Sequence, residues 1–161
     1  MIRPGQLLPV VLSLALTGGA ALAQNRGFGS AQDIGQPVEV TAETLAVDQK
    51  TGTAVFSGNV LIGQGEMRLS ADRVSVTYAQ GDQRRISALK AEGNVTLVSG
   101  GDAAEAGTAD YDVESGHVVL SGDVLLTQGG NVLAGDRVTV DLASGTASAS
   151  GRVRSVLQPG K

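Results

Sequence analysis

One spacing recurs along this chain and constrains its fold more than any other feature. Asp48, Gly52, Gly58 and Val60 stand at the same intervals as Asp112, Gly116, Gly122 and Val124, and as Asp141, Gly145, Gly151 and Val153. A looser copy ends at Gly93-Asn94-Val95, with the longer tip Gly81-Asp-Gln-Arg-Arg85 in place of its Asp and first Gly. Repetition of this kind points to one supersecondary unit stacked on copies of itself. Each unit reads as strand, tight turn, strand. The Asp and the nearby Ser or Thr can bond to local backbone groups and start a turn. The Gly four residues on supplies the positive φ that closes a short hairpin.

Beyond each turn the residues alternate with period two, as a half-buried strand must. One face carries Phe56, Val60 and Ile62, then Leu89, Ala91, Val95 and Leu97, then Val118, Leu120, Val124 and Leu126, then Ala147, Ala149 and Val153. The opposite face is mostly polar, with Val55, Leu61, Val119 and Leu125 as exceptions. Further alternating segments run over 38–47, 69–78 and 132–142, and Ala71-Asp-Arg-Val74 is nearly repeated at Gly135-Asp-Arg-Val138. No long window after residue 36 has a helical period. The expected class is all-β, built from repeated antiparallel hairpins, with room for about a dozen strands.

The N-terminus reads as a secretory signal over 1–23. Arg3 gives a positive start, residues 7–16 an apolar centre, and Ala21-Leu-Ala23 a small-x-small cleavage pattern, so cleavage is expected after Ala23. The apolar run is short for a bilayer span. A flexible leader is expected over 24–36, one folded domain over 37–157 and a tail over 158–161. Cys and Trp are absent, and Phe and Tyr total four. Such a chain gains nothing from disulfides, and its core must be aliphatic. Two sheets of this composition either touch as a thin sandwich or stand apart with space between them. A net charge of −4 without a basic stripe argues against a nucleic-acid partner.

Catalytic patterns are missing. One His and no Cys remove His/Cys metal sets and thiol chemistry. No Ser sits in a Gly-x-Ser-x-Gly elbow, and His117, beside Gly116, reads as a solvated turn residue. Asp48, Asp112 and Asp141 offer one carboxylate per turn, too few oxygens for a calcium cage, so turn capping is the better account. Arg84 and Arg85 form a basic tip. No enzyme activity, cofactor or metal is expected. The two end strands are only partly blunted: the first by Pro37 and Glu39, the last, over 147–154, by two Arg. Edges left open in this way can pair across molecules head to tail.

Several segments resemble the LptA/OstA-like family: Pro37-Val-Glu-Val-Thr-Ala-Glu-Thr-Leu45, Gly52-Thr-Ala-Val-Phe-Ser-Gly-Asn-Val60, Leu69-Ser-Ala-Asp-Arg-Val74, Ile86-Ser-Ala-Leu-Lys-Ala-Glu-Gly-Asn-Val95 and Ala109-Asp-Tyr-Asp-Val113. The resemblance covers nearly all of the chain after the signal. It implies an open, twisted β-jellyroll of antiparallel strands in a periplasmic carrier of lipopolysaccharide. Lipid A acyl chains would lie between two sheets against Phe56, Val60, Ile62, Leu89, Val95, Leu97, Leu120, Val124 and Leu126. Copies would join end to end through Val38 and Val40 at one edge and Ala147, Ala149 and Val153 at the other. The implied partners are the inner- and outer-membrane transport proteins of the same fold. Two alternatives stay open: a membrane-tethered, LptC-like partner of the same fold, and a structural β-repeat with a dry, filled interior.

Overall fold

The computed structural model describes residues 33–159. Ten antiparallel strands form one open sheet, with no helix among the described residues: β1 (Glu39–Thr41), β2 (Thr44–Asp48), β3 (Thr53–Gln64), β4 (Met67–Ala79), β5 (Asp82–Ser99), β6 (Asp102–Asp112), β7 (His117–Gln128), β8 (Asn131–Asp141), β9 (Thr146–Ser150) and β10 (Arg154–Val156). β3 to β8 run as a meander. β1 and β2 both pair with β3 at one edge, and β9 and β10 both pair with β8 at the other.

Two kinds of turn join the strands. Gly65, Gly100 and Gly129, at φ 56, 61 and 57, open two-residue turns, where positive φ suits the strand twist. At the opposite tips the repeated Asp does the closing. Asp48 Oδ1 accepts the backbone N–H groups of Lys50 and Thr51, Asp112 Oδ1 those of Glu114 and Ser115, and Asp141 Oδ1 those of Ala143 and Ser144. These backbone donors hold all three carboxyls below the usual aspartate range. The Gly four residues on donates its N–H to the Asp carbonyl at 2.9 Å for Gly116 and 2.8 Å for Gly145.

A line of bulges crosses the sheet at one level. The register shifts between Ser57 and Val60, Ser70 and Arg73, Glu92 and Val95, Glu105 and Thr108, and Ser121 and Val124. Gly58-Asn59, Gly93-Asn94, Gly122-Asp123 and Gly151-Arg152 all have positive φ there. A bulge bends its strand and sharpens the twist. The sheet therefore folds along this ridge into two arms. One holds β2, β9 and segments such as 53–57, 108–112 and 117–121. The other holds β1, β10 and segments such as 60–64, 95–99 and 124–128. The arms face each other across a single cluster of buried aliphatic residues. This is the open, unclosed all-β architecture expected from the repeats.

Three sequence readings need correction. The segments 38–47 and 147–154, each read as one strand, are broken at 42–43 and 151–153 because the ridge crosses them. Alternation also slips by one on the even strands, where Ala71 and Val74 both point inward, since the neighbouring strand carries the extra residue. Residues 33–36, assigned to a flexible leader, are hydrogen-bonded into the fold through Gln64.

Candidate functional site

The interior between the arms is the one large apolar surface of the molecule. Val60, Ile62, Leu89, Val95, Leu97, Leu120, Val124 and Leu126 are all buried to 5 % exposure or less, and Phe56 is half-buried against the same cluster. The nine residues singled out from the sequence thus share one interior. Burying a Val or Leu side chain is worth about 1.5–3 kcal/mol, so these strands hold the arms together as well as lining the space. Sequence reasoning missed the other half of the lining: Leu69, Val74, Val76, Ala109, Val138 and Val140 come from even strands. The near-copies Ala71-Asp-Arg-Val74 and Gly135-Asp-Arg-Val138 were the available signal. Reading it required recognising the bulge.

The arms are in contact over most of their length, and an opening remains at the β9/β10 end. There Leu126, Val132, Leu133 and Leu157 from one arm and Ala147 from the other surround about 220 Å³, with Gln128 and Asn131 among the polar residues lining it. The interior itself holds little polarity. Gln64 and Tyr111 form a buried pair, the Tyr111 hydroxyl donating to Gln64 Oε1 at 2.5 Å. Burial pushes the Tyr111 hydroxyl above the ordinary phenol range.

Acidic side chains stabilise the ridge from outside. Asn59 Nδ2 donates to Glu43, Asn94 Nδ2 to Asp72 at 2.8 Å, and Arg152 Nε to Asp136 at 2.8 Å. Each pairs a carboxylate on one strand with the bulge residue of the next. The Arg152 guanidinium holds the Asp136 carboxyl below its usual range. At the first tip, Arg85 pairs with Glu114 at 2.9 Å, and His117 lies 3.5 Å from Asp141. These are exposed pairs of small energetic weight.

The proposed assembly residues fall on two separate edges. Val38 and Val40 are half-buried against the core at the β1/β2 edge. At the β9/β10 edge Ala149 is half-buried, while Ala147 and Val153 are exposed. The edges carry more apolar surface than anticipated, with Leu45 and Val47 exposed on β2 and Val156 and Leu157 at the other end. Their charges are opposite. β1 and β2, with the residues joining them, carry Glu39, Glu43 and Asp48 and no base; the span from β9 to β10 carries Arg152 and Arg154 and no acid.

Comparison with known proteins sets this architecture among relatives. The lipopolysaccharide export system protein LptA of Escherichia coli K12 is 26 % identical over 137 residues, covering 80 % of this chain and 72 % of that protein. The export system protein LptH of Pseudomonas aeruginosa is 27 % identical over 141 residues, covering 83 % and 77 %. The crystal structure of LptH, described as the LptA-homologous periplasmic component of the lipopolysaccharide transport device, superposes with a TM-score of 0.72 at 23 % identity, over 80 % of this chain and 99 % of that one. Residues 39–146 match the family model described as LptA/(LptD N-terminal domain) LPS transport protein. The chain belongs to the LptA/LptD N-terminal domain family of lipopolysaccharide transport proteins.

Proposed function

We propose that this protein carries lipopolysaccharide through the periplasm, with acyl chains of lipid A held between the two arms and copies joined end to end. The observation that supports this reading is an aliphatic interior, continuous from one unpaired sheet edge to the other, in a sheet that never closes into a barrel. Without a guest the arms rest on each other. An acyl chain entering between them exchanges one apolar contact for another and leaves water, at about 0.8 kcal/mol per methylene buried. Positive-φ bulges along the ridge give the arms a line about which to part.

The edges support the end-to-end reading. Within the chain, the step from an odd to the next even strand places Leu120 opposite Val138 and Val124 opposite Gly135. Extending that register past β10 places Ala149 opposite Leu45, and Val153 opposite Ala42, of a second copy. The acidic edge then meets the basic one. Inner- and outer-membrane transport proteins of the same fold would use these edges in the same way.

Displacement of an interior-bound apolar fluorophore by lipopolysaccharide tests the carrier reading. Leu120→Asp and Val124→Glu should abolish loading, because each puts a charge into the apolar interior. A chain that stays folded and never takes up the fluorophore has a dry interior, and the structural β-repeat reading then replaces this one.

A further inference from the structure

Resting on the carrier reading, the inference concerns what holds the interior shut before a lipid arrives. The Gln64 amide is buried, and Nε2 donates to two backbone carbonyls, those of Ile34 at 2.8 Å and Gln36 at 3.0 Å. Its Oε1 accepts from Tyr111 of the opposite arm. The strap that supplies the carbonyls is preformed. Asp33 accepts the N–H of Gly35 at 3.0 Å on its side chain and that of Gln36 at 3.2 Å on its carbonyl. The Ile34 side chain reaches the first arm and lies so close to Gly116 that a Cβ there would stand 3.1 Å from Ile34 Cγ2. Thus the strap offers carbonyls to Gln64 on one arm and an aliphatic side chain to a turn of the other.

That is the chemistry of an acyl chain at its root: a carbonyl followed by hydrocarbon. We propose that Ile34–Gln36 is an intramolecular stand-in for such a group, and that Gln64 and Tyr111 form a subsite for the ester or amide carbonyl joining an acyl chain to its head group. Buried amide donors cannot be left unpaired without loss, so the strap leaves only when another acceptor replaces it. A plain hydrocarbon fills the space and satisfies neither donor. An acylated amphiphile does both. The subsite thus selects acylated guests and keeps the seam closed to others.

The test uses the full chain, an apolar fluorophore in the interior, and two competitors: a short-chain diacyl phosphatidylcholine and its dialkyl-ether counterpart of equal chain length. The diester should displace the fluorophore at about fivefold lower concentration, the weight of one or two hydrogen bonds. Gln64→Leu should erase the difference. Ile34→Asp, which unseats the strap without touching the subsite, should tighten diester competition by a few fold, and this variant carries the test if Gln64→Leu does not fold. Equal competition by ester and ether, with fluorophore bound and lipopolysaccharide displacing it, overturns the subsite and leaves the carrier reading standing. Failure of the fluorophore to bind at all overturns both.

Discussion

Val124 and Val153 occupy the same position in successive repeats, yet Val124 is 1 % exposed and Val153 is 51 % exposed. Their surroundings differ by one strand. Val124 pairs with Gly135 on β8, whereas nothing follows β9 and β10 at the edge. The other edge repeats the contrast: Leu45 is 55 % exposed, while Val74, its counterpart on β4, is fully buried. Each edge displays residues that the repeat buries everywhere else.

Val153→Asp should therefore leave the monomer nearly as stable as before, within about 0.5 kcal/mol, because the position is open to water there. At a junction the same charge would be desolvated, and association should weaken by about tenfold or more. Light scattering against concentration reads this directly. Growth of scattering equal to that of the unmodified protein would remove the β9/β10 edge from the junction.

The register of that junction is open to cross-linking, since the chain has no Cys of its own. Extending the internal ladder puts Ser150 of one copy opposite Thr44 of the next. A Thr44→Cys, Ser150→Cys chain should form disulfide-linked multimers under mild oxidation. Thr44→Cys with Ser148→Cys displaces one thiol by two residues, about 7 Å along the strand, beyond comfortable disulfide reach. Preferential linking of the second pair would show a shifted register.

The ridge glycines should prove dearer to replace than the turn glycines. Gly52 has φ +63 and open space around it, so Gly52→Ala should cost about 1–2 kcal/mol for the backbone alone. Gly93 has φ +80, and a Cβ there would lie 2.5 Å from Asp72 Oδ2. Gly93→Ala should cost more, and Asp72→Ala in the same chain should recover part of the excess. Urea unfolding midpoints that rank the two alanine variants equally would refute close packing along the ridge.

Acid should loosen the hairpin tips first. Backbone donors lower the folded-state values of Asp48, Asp112 and Asp141 below those of the unfolded chain. Their stabilisation is then complete above the ordinary aspartate range and declines as pH falls through it, when the carboxyls protonate. Thermal melts taken from neutral into acid should show the midpoint falling over that interval. A variant with all three changed to Asn should show a shallower fall; an unchanged slope would place the acid sensitivity elsewhere.

Much of the fold was legible because the signals are local. Asp112 and Gly116 close a turn with atoms four residues apart, and a period-two run such as Val118, Leu120, Val124 and Leu126 declares which side of a strand is apolar. The interior of the odd strands followed from that alone. The even strands did not, because the slip between Ala71 and Val74 depends on an extra residue in a neighbouring strand.

The sequence by itself determined the hairpins, the turn chemistry and the apolar side of each odd strand, all of which depend on neighbours along the chain. Tertiary structure decided that the sheet folds onto itself at the ridge, that Gln64 and Tyr111 meet across 47 residues, and that Ile34 crosses the seam. Alternation says only that a side chain points away from water. What it meets there is set by the bend of the whole sheet, a property of all the bulges together.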